Sequence, residues 1–148
     1  MPGGDRIEVM HGVNLDQLGR RDPSLYGGLT LDELEGRIGG YADELGLKVR
    51  FFRTNSEGEF VEHLHRHEDL ADAIVLNPGA WTHYAWALRD ALEIAALPAV
   101  EVHLSDVMHR EEFRRVSVVR DLCLATVSGK GVDGYREALS RLKEEFQA

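Results

Sequence analysis

A carboxylate and an imidazole lie two residues apart in a short, otherwise apolar segment of the sequence. The segment covers residues 99–104, and the two polar residues in it are Glu101 and His103. Residues two apart in a β-strand project from the same face, so we expect these side chains to lie side by side. The carboxylate can orient the imidazole and fix its tautomer, as a general acid requires. The alternative is an edge strand with a solvated polar face.

A second group of polar residues lies in a long, glycine-containing loop over residues 12–28. The loop contains Asn14, Arg21 and Tyr26. Loops longer than about 12 residues in compact domains are usually functional or disordered. We therefore predict an active-site lid. The alternative is a polar surface loop that contains a tyrosine by chance.

A third group follows the apolar run at residues 73–76. Asn77 and His83 flank a Pro-Gly turn, where they could hold hydroxyls or an anion near a helix N-terminus. Ordinary helix capping by Asn77 or Thr82 is the alternative. Ser105 follows the segment that contains Glu101 and His103, and backbone N–H groups at that position could also bind an anion.

Two weaker patterns are better explained without a ligand. His63, His65 and His67 resemble a metal-binding set, but only His63 and His67 share a face of a helix, so a solvated helix face is favoured. Residues 128–131 follow a predicted strand and contain Lys130, but the Ser or Thr that follows the lysine of a phosphate-binding loop is missing.

The elements that would position these groups alternate along the chain. Apolar runs predict strands at residues 7–10, 47–53, 73–76, 99–104 and 122–127, and helices are predicted at 31–45, 57–67, 82–95, 111–115 and 133–146. Such alternation predicts an α/β fold with a five-stranded parallel sheet, a flavodoxin-like three-layer sandwich. Ligands of these folds bind beyond the carboxyl ends of the strands, where the polar groups above are expected.

The first predicted helix has clear boundary signals. Thr30 and Glu33 form the pattern of a capping box, and Gly46 is a natural C-cap. Gly39 and Gly40 lie in its interior, where each costs about 1 kcal/mol relative to alanine. This pair predicts close packing against a neighbouring element.

Composition limits the class of protein. The 148 residues suit one domain, here expected to span residues 1–148 with residues 1–5 flexible. A net charge of −9 argues against nucleic-acid and membrane-surface partners, and no apolar run reaches the roughly 20 residues of a membrane span. The single cysteine, Cys123, excludes an intramolecular disulfide and is expected as a buried thiol in the last strand. With no visible secretory signal, a cytoplasmic location is expected.

Together, the motifs resemble those of the type II 3-dehydroquinate dehydratases. The resemblance extends over roughly residues 6–142, in the family's order and spacing. The matching segments are His11–Leu15, Leu18–Arg21, Tyr26–Gly27, Asn77–Ala80, Thr82–His83, Ala87–Leu92, Glu101–Ser105, Arg110–Arg114 and Gly134–Tyr135.

The resemblance implies a hydro-lyase that needs no metal or cofactor. The reaction would be anti dehydration of 3-dehydroquinate to 3-dehydroshikimate through an enol(ate). Tyr26 would be the base, and Arg21 would stabilise its tyrosinate. Asn14 would hold a water near the developing enolate oxygen. His103, oriented by Glu101, would protonate the leaving hydroxyl.

The resemblance also implies how the substrate, a small anionic polyhydroxylated carboxylate, is bound. Asp90 would reach the site of a neighbouring subunit, because the family forms trimers that pack into dodecamers. The residues expected to bind the substrate's carboxylate and hydroxyls are Asn77, His83, Arg114 and, through backbone N–H groups, Leu104 and Ser105.

Several positions depart from the family pattern and leave alternatives open. They include Val13, Trp81, Tyr84, Met108 and Arg120. With different residues around the site, the substrate could be an analogue of 3-dehydroquinate, such as aminodehydroquinate in secondary metabolism. The choice between a biosynthetic and a catabolic pathway also stays open. A non-catalytic ligand-binding member of the fold and a flavin-binding module are the alternatives from other classes.

Overall fold

A five-stranded parallel sheet forms the centre of the computed structural model, which describes residues 3–148 except for the side chains of residues 67 and 68. The strand order is β2-β1-β3-β4-β5, which is the order of flavodoxin-like folds. The predicted fold class is therefore confirmed. The strands are β1 (Arg6–His11), β2 (Lys48–Arg53), β3 (Ala73–Asn77), β4 (Ala99–His103) and β5 (Ala125–Ser128).

Helices cover both faces of this sheet. The α-helices are α1 (Pro23–Tyr26), α2 (Leu31–Leu45), α3 (Glu57–Leu64), α4 (His67–Leu70), α5 (Trp86–Ala95) and α6 (Asp133–Gln147). One apolar cluster joins Val9, Val75 and Val102 to α2 and α6, and the other joins Ile74 and Leu76 to α3 and α5. The helical segments of 3₁₀ type are Leu15–Arg20, Gly79–His83, Val107–His109, Glu112–Arg115 and Arg120–Leu122.

Helix α2 begins and ends as predicted. The Thr30 hydroxyl accepts a hydrogen bond from the Glu33 amide at 3.2 Å, and the Glu33 carboxylate accepts one from the Thr30 amide at 3.1 Å. Gly46 ends the helix in the left-handed conformation, at φ 71°. Such a reciprocal cap satisfies two amides that the first helical turn leaves without partners.

The close packing expected at Gly39 and Gly40 is wrong. In the described part of the chain, a Cβ at either position would meet nothing within 4 Å beyond adjoining residues and the helix's own backbone. The pair lies on the outer side of α2, while Leu34, Ile38 and Ala42 face the core. The glycines therefore weaken the helix without a packing contact in return.

Several predicted boundaries shift because 3₁₀ turns use the backbone amides. The last strand begins at residue 125 rather than 122, since the Leu122 and Cys123 amides bond within the turn Arg120–Leu122. Cys123 is therefore half-buried and lies outside β5. The helix expected from residue 82 begins at 86, the helix expected to end at 67 ends at 64, and the short helix near residue 112 is of 3₁₀ type.

Strand β4 lies inside the sheet, between β3 and β5, and all five of its residues are buried. The alternative of an edge strand with a solvated polar face is therefore wrong. The sequence shows alternation rather than a continuous apolar run because Glu101 and His103 have polar partners inside the protein. Burial without such partners would be costly.

The start of β1 is held to β3 by a carboxylate. Asp72 accepts hydrogen bonds from the amides of Asp5 and Arg6 at 3.1 and 3.0 Å. The expected flexibility of residues 1–5 stays a prediction, and residues 1 and 2 lie outside the described part. None of the described helices is long and apolar enough to cross a membrane.

Candidate active site

Two loops meet closely at the carboxyl end of the sheet. The Gly12 amide donates to the Asn77 carbonyl at 2.8 Å, and a Cβ on Gly12 would overlap the backbone of Pro78. Gly79 has φ 66°, and a Cβ there would overlap the Val13 carbonyl. Glycine at both positions is what lets the loop after β1 approach the loop after β3.

A cleft lies beyond these loops, over the ends of β1, β3 and β4. It brings together most of the predicted site residues: Asn14, Arg21, Tyr26, Asn77, His83, His103, Leu104, Ser105 and Arg114. Glu101 lies beneath His103 rather than on the cleft wall. Asp90 is exposed on α5 and does not line the cleft of its own chain.

The Glu101–His103 pair has the geometry that the spacing predicted. The Nε2 of His103 lies 2.7 Å from the Oε2 of Glu101, and both residues are buried. With Nε2–H donating to the carboxylate, Nδ1 is the ring nitrogen left for a ligand. The arrangement fixes the orientation of the imidazole at the cleft.

Three hydroxyl groups also contact the Glu101 carboxylate. Thr82 donates to Oε2, Ser117 lies 2.9 and 3.0 Å from the two carboxylate oxygens, and Thr126 lies 3.2 Å from Oε1. Burial alone would raise the pKa of Glu101, but the hydrogen bonds from His103, Thr82 and Ser117 outweigh it and lower that pKa. Glu101 is therefore ionised beneath the imidazole.

His83 is held in the opposite tautomer. Its Nδ1 donates to the Val116 carbonyl at 2.7 Å, which leaves Nε2 as a hydrogen-bond acceptor. Burial lowers the pKa of His83, and the hydrogen bond to Val116 opposes that shift without reversing it. The neutral ring stacks near His103, with the ring centroids 6.4 Å apart.

Two arginines surround Tyr26 in different ways. The Arg21 guanidinium lies over the tyrosine ring, with its Cζ 4.1 Å from the ring centroid. The Arg110 Nη1 instead donates to the Tyr26 hydroxyl at 2.7 Å and to the Ser105 hydroxyl at 3.0 Å. The role of Arg21 in stabilising the tyrosinate stays a prediction, and Arg110 is a second arginine, one that contacts the oxygen itself.

Arg110 is the main site residue that our sequence reasoning missed. It is 84 residues from Tyr26 in the chain, so no local spacing links the two. The available signal was its place at the start of the matching motif Arg110–Arg114, a segment already assigned to substrate binding through Arg114.

The remaining polar residues are held by contacts of their main chain or their side chain. Asn14 has φ 67°, and its amide donates to the Asn55 side chain at 2.8 Å. The Asn77 Oδ1 accepts from the Gly79 amide at 3.0 Å, which leaves the Asn77 NH₂ group as a donor. Arg114 is paired with Glu111 at 3.1 Å and lies on the cleft wall.

Among the positions that depart from the family pattern, only Val13 lines the cleft. Trp81 is buried and packs edge-on against Phe60, with ring centroids 5.7 Å apart. Tyr84 and Met108 are exposed, and the Arg120 side chain donates to the Arg115 carbonyl at 3.3 Å. The changed residues therefore lie around the cleft rather than in it.

The solvated face predicted for the histidine-rich helix is wrong at His63. Its Nε2 lies 2.8 Å from Glu8, and its ring stacks on Phe52 with 3.8 Å between centroids. His65 is exposed, and the side chain of His67 lies outside the described residues. Within the described residues, no group of three or more His, Cys, Asp or Glu side chains could hold a metal ion.

Comparison with known proteins gives a consistent result. The chain is 48% identical over 134 residues to a 3-dehydroquinate dehydratase of Pelotomaculum thermopropionicum, covering 90% of this chain and 93% of the relative. It is 44% identical to the 3-dehydroquinate dehydratase of Pelobacter propionicus, with 97% of each chain covered.

The structural comparison agrees. The crystal structure of the type II dehydroquinase of Propionibacterium acnes superimposes with a TM-score of 0.89 at 41% identity, covering 97% of this chain and 99% of that one. The profile of the family described as "Dehydroquinase class II" matches residues 5–143. The chain therefore belongs to the class II dehydroquinase family.

Proposed function

We propose that this protein is a hydro-lyase that dehydrates 3-dehydroquinate to 3-dehydroshikimate through an enol(ate). The observation that carries the proposal is the cleft in which the Tyr26 hydroxyl, contacted by Arg110, shares its walls with the carboxylate-paired His103. A base and an acid in one cleft suit a reaction that removes one proton and delivers another. The names of the relatives support the same substrate.

The first step is removal of a proton next to the substrate ketone by the Tyr26 oxygen. A tyrosine must lose its own proton before it can act, and cations near its oxygen stabilise the resulting anion. Arg110 provides that charge by a hydrogen bond at 2.7 Å, and Arg21 adds a second positive charge over the ring. The tyrosinate then becomes neutral tyrosine as the enolate forms.

The enolate oxygen needs a hydrogen-bond donor as negative charge develops on it. Asn14 lies on the cleft wall at the start of the loop, and we assign it to hold a water against that oxygen. Such stabilisation acts on charge that is larger in the transition state than in the substrate, so it lowers the barrier.

The second step is loss of the hydroxyl β to the carbonyl. The doubly protonated His103 gives its Nδ1 proton to the departing oxygen, which leaves as water while the enolate electrons form the new C=C bond. The ionised Glu101 stabilises the imidazolium before this transfer, because it accepts the Nε2–H. We assign the leaving group to the face of the ring opposite the abstracted proton.

Positively charged and neutral polar groups hold the substrate. Arg114 and the backbone N–H groups of Leu104 and Ser105 suit the carboxylate, since charge-assisted hydrogen bonds are the strong ones. The Asn77 NH₂ group and the His83 Nε2 offer a donor and an acceptor to the ring hydroxyls. The cleft is thus locally cationic in a chain of net charge −9.

The lining of the cleft favours 3-dehydroquinate over its amino analogue. None of the described residues that line it is Asp or Glu, whereas three are arginines. An ammonium group on the ligand would be placed among positive charges without a carboxylate partner. The departures at Trp81, Tyr84, Met108 and Arg120 do not change this lining.

We also propose that the protein is a cytoplasmic homo-oligomer of trimers packed into a dodecamer. Asp90 is exposed on α5, from which it could act only at another subunit's site. Tyr84 and Phe113, at 59% and 53% exposure, lie next to His83 in sequence and in space. Covering such large apolar side chains in an interface is favourable.

The proposed function is tested by mixing the purified protein with 3-dehydroquinate and following the ultraviolet absorbance of the conjugated enone product. Absorbance should rise with the wild-type protein and should do so about 10²–10⁴ times more slowly with Tyr26→Phe. Tyr41→Phe is the matched control, because the Tyr41 hydroxyl donates to Asp133 at 3.3 Å on the protein surface and does not line the cleft. Absence of turnover at high wild-type concentration would reject the substrate.

A further inference from the structure

The stretch between the 3₁₀ helices Glu112–Arg115 and Arg120–Leu122 passes beneath the two cleft histidines. The Val118 amide donates to the Thr82 carbonyl at 2.8 Å and so ties this stretch to the segment that contains His83. At the end of this stretch, Arg120 departs from the family pattern, and Ser117 carries no role predicted from the sequence. Its contacts with the catalytic pair indicate a more direct role.

We propose that Ser117 is a positioning residue that keeps the proton of the Glu101–His103 pair on the imidazole. The inference rests on the proposed role of His103 as the acid. Ser117 does not line the cleft and would not touch substrate, so it would act through Glu101 alone.

The direction of the Ser117 hydroxyl hydrogen is set by its other contacts. The Ser117 oxygen accepts hydrogen bonds from the amides of Val119 and Arg120 at 3.3 and 3.1 Å. These amides occupy the lone pairs of the oxygen, so its own hydrogen is left to be donated. The Thr82 hydroxyl lies 3.3 Å from the Ser117 oxygen and donates its hydrogen to Glu101. The Glu101 oxygens are nearer to Ser117, at 2.9 and 3.0 Å, and carry the negative charge, so the Ser117 hydrogen points to them. Amide donation also polarises the O–H group and strengthens its donation.

This donated hydrogen bond favours one of two positions for the shared proton. A proton on His103 Nε2 leaves an imidazolium, which is a competent acid at Nδ1, above an ionised Glu101. A proton moved to Glu101 leaves a neutral imidazole, which is a poor acid. Hydrogen bonds to a carboxylate stabilise its ionised form, so Ser117 favours the first arrangement.

The other groups that face Glu101 do not replace this contact. Thr82 donates to Oε2 and Thr126 lies 3.2 Å from Oε1, whereas Ser117 is the hydroxyl that reaches both oxygens. The Cys123 thiol also lies near Glu101, but burial and the charge of that carboxylate raise its pKa to about 12. The thiol is thus protonated and adds no charge.

Steady-state kinetics of the full-length protein with 3-dehydroquinate provide the test. Ser117→Ala should lower kcat by roughly 10–100-fold and change KM by less than about 3-fold, because the lost contact acts on proton transfer and not on binding. Ser117→Thr, which retains the hydroxyl, should restore most of kcat. Ser140→Ala, on a partly buried serine of α6, is the matched control and should behave as wild type.

A double-mutant cycle separates this role from a merely structural one. In a Glu101→Gln background, Ser117→Ala should cause little further loss of kcat, because its partner charge is already absent. Equal losses in both backgrounds would overturn the proposal, as would a Ser117→Ala enzyme with wild-type kcat. If Ser117→Ala does not fold, Ser117→Cys, which retains a weak donor, takes its place in the cycle with an intermediate kcat expected.

The failure of this inference can be told apart from failure of the proposed function. An inactive wild-type protein, or a fully active His103→Ala variant, would reject the proposed function itself. If His103→Ala is inactive while Ser117→Ala has wild-type kcat, only the proposed role of Ser117 is rejected.

Discussion

At the scale of single residues, the cleft uses its two arginines near Tyr26 for different tasks. Arg21 stacks on the ring face, while Arg110 reaches the oxygen and the neighbouring Ser105 hydroxyl with one nitrogen. A hydrogen bond from a cation stabilises an oxyanion more than a charge over the ring does, because it acts at the atom that carries the charge. Arg110 should therefore contribute more to the reactivity of Tyr26.

Arg110→Lys tests this division of tasks. Lysine keeps the charge but is a flexible point donor that does not match the geometry of a guanidinium. We expect kcat/KM to fall by about 10–100-fold in the dehydration assay. Arg136→Lys, on an exposed pair with Glu44, is the control and should retain wild-type kcat/KM. Equal kcat/KM in the Arg110 variant and the control would contradict the assignment.

At the scale of elements, the site depends on how closely two loops approach at the end of the sheet. The loop after β1 carries Asn14 and leads to Tyr26, whereas β3 ends at Asn77 and the loop after it carries His83. Gly12 and Gly79 permit their contact because neither has a Cβ to overlap the opposite backbone. The distance between the two halves of the site is thus set by main-chain packing.

Two glycine substitutions should have effects of opposite sign on stability. Gly12→Ala forces the loops apart and should lower the free energy of unfolding by about 1–3 kcal/mol. It should also lower kcat/KM, since Asn14 moves with the loop. Gly39→Ala, on an open face of α2, should raise the free energy of unfolding by up to about 1 kcal/mol. Urea unfolding of both variants measures the difference, and destabilisation of equal size in both would refute it.

At the scale of the whole molecule, acid should loosen the attachment of β1 to β3. Burial by itself would raise the pKa of Asp72, but hydrogen bonds from the Arg6 and Asp5 amides and the Arg6 side chain outweigh it and lower that pKa. A carboxyl group whose pKa is lowered by folding stabilises the protein above its unfolded pKa. That stabilisation is lost as the pH falls through the lower, folded value.

Asp72→Asn should therefore lower the free energy of unfolding near neutral pH by about 1 kcal/mol and have a smaller effect at about pH 3. Urea unfolding at several pH values measures the two effects. Asp69→Asn, at an exposed carboxylate close in sequence, is the control. A loss that is constant across this pH range would show that Asp72 does not contribute through its charge.

Assembly is the second property that belongs to the whole molecule. Sedimentation equilibrium should give a mass close to twelve times the 16.6 kDa of one chain. If Asp90 completes a neighbouring site, Asp90→Asn should lower kcat/KM without changing that mass. A fully active monomer would contradict both the dodecamer and the role of Asp90.

Features that depend on local backbone geometry could be predicted from the sequence alone. Alternation in β4 placed Glu101 beside His103, and the Thr30–Glu33 pattern correctly located the start of α2. These predictions succeed because strand and helix periodicities bring near neighbours together whatever surrounds them. The motifs around Tyr26, Asn77 and Arg114 indicated the family for a similar reason, because motif spacing is read along the chain.

Contacts between residues far apart in the chain depend on the three-dimensional fold and could not be predicted from the sequence. Arg110 reaches Tyr26, Ser117 lies under Glu101, and His63 pairs with Glu8 rather than with water. Each contact joins residues far apart in the chain, so it depends on strand order and on how the loops cross, which no local spacing encodes. The same holds for the distribution of charge. A chain of net charge −9 forms an arginine-lined cleft because the fold brings three arginines together at the carboxyl end of its sheet.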